Sequence, residues 1–269
     1  MSTTHERPRI GLAFGGGGAR GLAHLGITQR LLELGIPIHC VAGTSIGSVM
    51  GAVFASGSLD RAFAWCHEPD WKKLSRLLLD RPLTRKAVIQ GTRIEELLAD
   101  LIPARTFDEL ACPFAAVATD LQTGEEVVLD HGSLQTAIRA SISIPGVFPP
   151  VERDGRILVD GSLVTPVPVA VCRRLGADKV IAVDVNPPLD VRAQKPFDQM
   201  TIFDILVDTF RITNAEMTRH LLRDAPPDVL LRPDVGMVKT LDFRNAPQLI
   251  ARGRQCVDAI QTVFDAWRT

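Results

Sequence analysis

Residues 9–21 read RIGLAFGGGGARG and residues 38–55 read IHCVAGTSIGSVMGAVFA; together they decide the fold. Residues 9–14 form a short β-compatible run that stops against four glycines, Gly15 to Gly18. That pattern predicts a strand, a tight loop and then a helix over about residues 19–34. Leu22, Leu25, Ile27, Leu31 and Leu34 give the helix its apolar face, and Gly35 with Pro37 ends it. Residues 38–42 repeat the strand pattern, a Gly-bounded turn follows, and residues 46–55 form a second helix. Strand, helix, strand, helix in that order calls for an α/β fold: a mostly parallel central sheet between helices, with right-handed crossovers.

Outward from this unit, residues 58–110 have helical character and no convincing strand, with Pro69, Pro82 and Pro103 as punctuation. Covering a site is one role open to them. Strand patterns return at residues 114–119, 126–129, 157–159, 179–183 and 229–231, and helical spacing at 134–141, 167–175, 200–223 and 246–267. Residues 185–196 hold three prolines and read as a surface loop. No repeat or linker divides the 269 residues, so a single domain over 1–269 is expected, with a motif-bearing core at about 8–185 and the helices of about 200–268 packed on it.

Composition excludes several functions. The 30 basic and 31 acidic side chains nearly cancel, so no net field recruits nucleic acid. Tyr is absent and aromatics total 5%, too few rings for a single-strand stacking platform. The cysteines, Cys40, Cys66, Cys112, Cys172 and Cys256, lack the spacing of a structural zinc site and read as thiols of a reducing compartment. The polar start MSTTHERPR leads straight into the first apolar run, without the hydrophobic stretch of a secretory signal, so a cytoplasmic location is expected.

Two constellations carry chemistry. Gly43-Thr44-Ser45-Ile46-Gly47 is a GxSxG between a predicted strand and a predicted helix, the context of a nucleophile elbow. There the Ser occupies a strained turn, and its hydroxyl projects above a helix N-terminus that favours developing negative charge. The plain alternative is a glycine-rich turn with a Ser N-cap. Gly16, Gly18 and Gly21 fit GxGxxG after a strand, the dinucleotide fingerprint. That fingerprint needs an acid at the end of the second strand, where Cys40, Val41 and Ala42 stand instead. The reading this favours is an oxyanion hole, in which unhindered amides of Gly16, Gly17 and Gly18 converge on a carbonyl oxygen.

A Ser nucleophile needs a base. None of the histidines, His5, His24, His39, His67, His131 and His220, sits in a catalytic-loop context, and only His220 follows the best acid. That acid is Asp160, at the end of Ile157-Leu158-Val159 and before Gly161. Asp-Gly is often only a turn, but a carboxylate at a strand terminus stands where parallel-sheet enzymes gather their chemistry. Partial desolvation would raise its basicity.

Taken together, the glycine loop Gly16 to Gly21, the elbow Gly43 to Gly47, the pair Asp160-Gly161 and the block Ala140-Ser141-Ile142-Ser143-Ile144-Pro145 resemble the patatin-like phospholipase family. Within it they are similar to the bacterial branch related to neuropathy target esterase. The resemblance spans about residues 8–185. It implies a three-layer α/β/α fold and a Ser-Asp dyad without a catalytic His. Ser45 is then the nucleophile, Asp160 the base, Gly16, Gly17 and Gly18 the oxyanion hole, and Gly43, Gly47, Gly161 and Arg20 the supporting residues. It implies hydrolysis of lipid carboxylic esters, of the lysophospholipid or phospholipid kind, with no cofactor and no metal. Ser162 departs from the family pattern, in which Gly or Ala more often follows the Asp-Gly pair. A non-catalytic partner-binding member and a nucleotide-dependent oxidoreductase are the rival readings. Arg20 is expected to order the glycine loop, or else to hold an anionic head group.

Two segments bear on lipid contact. Residues 71–86 interleave Lys72, Lys73, Arg76, Arg81, Arg85 and Lys86 with Leu74, Leu77, Leu78 and Leu79, a pattern for peripheral docking on an anionic inner-membrane surface or for a solvated helix face. Ile202, Ile205, Leu206, Phe210, Met217 and Leu221 form an amphipathic stripe, expected to pack on the core, with a dimer surface or an acyl-chain wall as the alternatives.

Overall fold

A computed structural model describes residues 8–67, 92–186, 189, 196–236, 238–240 and 242–267. The basic stretch at 71–86 lies outside the described residues, as does most of the proline-rich segment 185–196.

The strands are β1 (Ile10–Phe14), β2 (Ile38–Thr44), β3 (Phe114–Asp120), β4 (Glu126–Leu129), β5 (Val151–Arg153), β6 (Arg156–Asp160), β7 (Lys179–Val183) and β8 (Val229–Leu231). The helices are α1 (Ala23–Glu33), α2 (Ile46–Ala55), α3 (Leu59–His67), α4 (Thr92–Leu101), α5 (Leu134–Ser141), α6 (Val169–Arg174), α7 (Ile202–Asp224) and α8 (Ala246–Asp258). Hydrogen-bonded neighbours run β5-β6-β3-β2-β1-β7-β8, with β4 also on β3. The pairs β2–β3, β1–β2, β1–β7 and β7–β8 are parallel, whereas β4, β5 and β6 pair antiparallel.

The three layers follow from side-chain alternation along the strands. Ile10, Leu12 and Phe14 of β1, with Val41, Ile181 and Val183, enter one large core under α1, α2 and α8. The intervening Ala13, Cys40, Ala42, Val117 and Ala182 face the other layer, against α6. Small residues there let α6 come close: a Cβ on Gly11 would stand 3.1 Å from that of Cys172 on α6. On the first face α1 and α8 cross equally tightly, since a Cβ on Gly26 would lie 1.9 Å from the Ile250 carbonyl oxygen. Periodicity in the sequence does not reveal that crossing.

Three local expectations change. The helix expected from residue 19 begins as a 3₁₀ turn, Gly18–Leu22, before α1. Strand β5 was not anticipated; it closes a hairpin on β6 through Asp154 and Gly155, whose φ values of 52° and 74° suit a two-residue turn. The stripe on α7 does not pack on the core along its length: Ile202, Ile205 and Leu206 are 79%, 49% and 58% exposed. Helix α7 packs on the 3₁₀ turn Gly161–Leu163, and its buried residues, Asn214 and Thr218, lie in its second half.

The register on β3 matters most for the site. Strand β2 runs along β3 as far as Thr44 opposite Val117, and β6 arrives from the other direction with Asp160 opposite Ala118. Strand β4 occupies the other edge at Ala116 to Thr119. The ends of β2 and β6 therefore meet head to head on one edge of β3.

Candidate active site

Ser45 is the residue between β2 and α2, and its backbone adopts φ 54°, ψ −128°. For a non-glycine residue this is a strained conformation, costing on the order of 1–3 kcal/mol. The turn is held by its surroundings. The Ser45 amide donates to Ser141 Oγ at 2.9 Å, and that hydroxyl donates to the Val117 carbonyl at 2.6 Å. On the helix side Ser48 bonds the Ser45 carbonyl through both its amide and its hydroxyl. Glycine is required on both flanks: a Cβ on Gly43 would lie 2.2 Å from the Gly47 carbonyl oxygen, and one on Gly47 would lie 2.2 Å from that of Phe14.

The Ser45 hydroxyl donates to Asp160 Oδ2 at 2.6 Å. Asp160 is completely buried, and its other oxygen accepts the Ser162 amide at 2.8 Å. Its own amide donates to the Ser143 carbonyl, and its carbonyl accepts from Thr119 Oγ1. Burial pushes its carboxyl up from 3.8 to about 6, while the hydrogen bonds from Ser45 and Ser162 pull the other way. At neutral pH the group is thus ionised yet far more basic than an exposed Asp. Gly161 sits where a Cβ would meet the Val117 carbonyl oxygen at 2.2 Å.

The glycine loop closes over this pair. A Cβ on Gly16 would lie 2.3 Å from Ser162 Oγ and 3.2 Å from Ser45 Cβ. The Gly16 amide donates to the Pro166 carbonyl at 3.1 Å, which corrects the expectation that all three glycines offer free amides. Gly16 spends its donor holding the loop to the segment after Asp160. Among the described residues nothing accepts the amides of Gly17 and Gly18. Arg20, 5% exposed, donates from Nε to the Gly17 carbonyl at 3.0 Å and from Nη2 to Asn186 Oδ1 at 3.1 Å. Asn186 in turn donates to the Gly16 carbonyl at 2.9 Å. These bonds draw the carbonyls of Gly16 and Gly17 toward Arg20 and Asn186.

Beside Ser45 opens a cavity of about 140 Å³ whose wall includes Leu22, Leu25, Val49, Met50, Trp65, Leu98, Ile144, Phe148 and Phe243. It is apolar apart from the Ser45 end.

Of the residues singled out in the sequence, Ser45, Asp160, Gly16, Gly43, Gly47 and Gly161 converge at one point, and Gly17, Gly18 and Arg20 form the loop beside it. Among the described residues no imidazole bonds Ser45 or Asp160. His24 is buried with its Nε2 at 2.9 Å from the Gly15 carbonyl and its ring stacked on Phe14, and burial holds its pKa at about 4, so it is neutral. Sequence reasoning missed Ser141, although it lies inside the quoted Ala-Ser block, and Asn186, which no local signal marks within a proline-rich run. No group of three or more His, Cys, Asp or Glu among the described residues is arranged to hold a metal. No helix among them is long and apolar enough to cross a membrane.

Residues 12–173 match the family model described as patatin-like phospholipase. An NTE family protein of Mycobacterium tuberculosis is 42% identical over 179 residues, covering 66% of this chain and 49% of that protein. Patatin-like phospholipase domain-containing protein 7 of Mus musculus is 30% identical over 96% of this chain and 21% of its own length. The chain thus spans about half of the first relative and about a fifth of the second. VipD from Legionella pneumophila shares the fold at a TM-score of 0.56 and 15% identity, over 97% of this chain and 67% of that one.

Proposed function

The chain belongs to the patatin-like phospholipase family, and from that premise we propose that it is a serine acyl hydrolase cleaving carboxylic esters of lipids through a Ser45–Asp160 dyad. One observation carries the reading: a hydroxyl on a strained turn donates across 2.6 Å to a fully buried carboxylate, at the mouth of an apolar cavity.

In this mechanism the acyl chain lies in the cavity with its carbonyl carbon over Ser45 Oγ. Asp160 Oδ2 takes the hydroxyl proton as Oγ attacks, and a carboxyl with a pKa of about 6 is well matched to that task near neutral pH. The tetrahedral oxyanion is met by the amides of Gly17 and Gly18 and by the N-terminus of α2. Collapse expels the alcohol, which takes the proton back from Asp160. Water then attacks the acyl-enzyme with Asp160 again as base. Arg20 and Asn186 serve this step from outside by fixing the loop carbonyls.

The test is labelling with a fluorophosphonate followed by peptide mapping. The expected result is modification at Ser45 alone, abolished in Ser45→Ala. A protein that hydrolyses esters while remaining unlabelled at Ser45 overturns the reading. Peripheral contact with anionic lipid through residues 71–86 belongs to the same proposal, and co-sedimentation with vesicles that ignores both anionic lipid and salt removes it.

A further inference from the structure

Arg139 is 4% exposed on α5, and no carboxylate among the described residues pairs with it; Glu95 on α4 acts on it only at long range. A buried guanidinium without a counter-ion is expensive to keep, which directs attention to what it holds. Nη1 donates to Ser143 Oγ at 2.7 Å, and that hydroxyl donates back to the Arg139 carbonyl at 2.8 Å. Nη2 donates to the Pro149 carbonyl at 3.2 Å, and the guanidinium carbon stands 5.5 Å from the centroid of the Phe148 ring.

One side chain therefore fastens the beginning, the late middle and the end of residues 143–149, a segment that turns at Gly146 with φ 81°. The remaining ties within it are two short bonds from the amides of Val147 and Phe148 to the Ile144 carbonyl. Ile144 and Phe148 line the cavity beside Ser45, and Phe148 belongs to a small cluster with Val147, Ile144 and Ile94 that is separate from the main core, with the guanidinium over its ring.

We propose that Arg139 is a positioning residue that holds the Phe148 wall of the cavity and thereby sets selectivity for acyl-chain length. The proposal rests on the acyl-hydrolase reading above. It acts through Phe148, so it separates from any general support Arg139 lends to the fold: loss of the wall penalises long acyl chains, whereas a loosened fold penalises all chains alike.

The experiment compares p-nitrophenyl acetate with p-nitrophenyl octanoate for the wild-type chain, Arg139→Met, Arg139→Lys and Phe148→Ala. Arg139→Met is expected to lower the octanoate-to-acetate ratio of kcat/KM on the order of tenfold, through KM. Phe148→Ala should give the same change, Arg139→Lys should recover only part of it, and the Arg139→Met/Phe148→Ala double variant should add little. A parallel loss on both esters, an unchanged ratio, or additive single effects overturns the proposal. Should Arg139→Met fail to fold, Arg139→Lys against Phe148→Ala decides the same question. Octanol binding followed by tryptophan fluorescence, with Trp65 in the cavity wall, reads the wall without turnover. If the wild-type chain hydrolyses neither ester, the acyl-hydrolase reading fails, and weakened octanol binding in Arg139→Met still supports the wall assignment while unchanged binding removes it.

Discussion

The hydroxyl of Ser45 and the carboxylate of Asp160 stand 2.6 Å apart although 115 residues separate them in the chain. They meet because Thr44 and Asp160 lie opposite consecutive residues of β3, Val117 and Ala118, as the ends of two strands that approach from opposite directions. The contact is thus set by sheet register, and the chemistry it supports can be tested residue by residue.

The strain at Ser45 separates activity from stability. Ser45→Gly and Ser45→Ala both remove the nucleophile and its bond to Asp160, but only Gly relieves the φ of 54°, so Ser45→Gly should melt higher than Ser45→Ala by the equivalent of about 1 kcal/mol or more, while hydrolysis falls on the order of 10³-fold in both. Ala keeps the strain, and the lost hydrogen bond is common to both variants, so the difference between them reads the strain alone. Thermal melts of the two variants side by side check this; equal melting temperatures would count against a strained elbow.

Activity should follow the ionisation of Asp160. With its carboxyl raised to about 6, kcat/KM is expected to fall by one proton's dependence as pH drops through that value. The Ser162 amide, which Ala would keep, and the Ser162 hydroxyl both favour the charged carboxylate, so Ser162→Ala, which removes the hydroxyl alone, should move the acid limb modestly to higher pH. A pH–rate profile with an acid limb near the ordinary Asp value, or a limb displaced downward in the variant, contradicts the assignment.

Asp160 should also destabilise the fold at neutral pH. Its folded pKa lies above the unfolded one, so the folded state binds more protons between pH 4 and 6, and stability is lost as pH rises through about 6. The difference corresponds to about 3 kcal/mol at most. Asp160→Asn keeps the shape: its oxygen still accepts the Ser162 amide and its NH₂ donates to Ser45 with the hydroxyl reversed. It should therefore be inactive yet more stable at pH 8, with the advantage shrinking toward pH 4. Urea titrations at the two pH values measure it.

Asn186→Ala removes one partner of Arg20 and the bond to the Gly16 carbonyl. A loosened loop should lower kcat about tenfold with KM little changed, because the amides of Gly17 and Gly18 are needed in the transition state rather than in the ground state. A rise in KM at constant kcat would instead place Asn186 in substrate binding.

Ser141→Ala leaves the Ser45 amide without its partner and takes a donor from the Val117 carbonyl. Buried polar groups left unpaired cost about 1–3 kcal/mol, so the melting temperature should fall by several degrees. Activity should fall too, since the elbow loses its anchor to β3. Differential scanning calorimetry with an ester assay decides whether the two losses go together.

Much of the architecture was legible along the chain. The short β-compatible runs, the glycines after residue 14, and the stops at Gly35 and Pro37 are local signals, and local signals set local structure. They placed β1, β2 and α2 to within two residues and put Ser45 at a turn. Hairpin β5–β6 has a local signal too, Asp154-Gly155 between β-compatible runs, but the same dipeptide recurs at Asp160-Gly161 without a hairpin, so the letters alone do not separate the two. The exposed half of α7 was beyond reach, because an amphipathic stripe has the same period whether or not anything covers it.

The sequence by itself determined a mostly parallel α/β sheet, a family likeness and a short list of chemically able residues. Tertiary structure alone decided which of them touch: that Asp160 reaches Ser45, that Gly16 gives its amide to Pro166, that Asn186 braces the loop, and that Ser141 pins the elbow. Each of these contacts joins segments far apart in the chain, and its existence turns on strand register and on packing distances of a few ångströms, which no periodicity within one segment can encode.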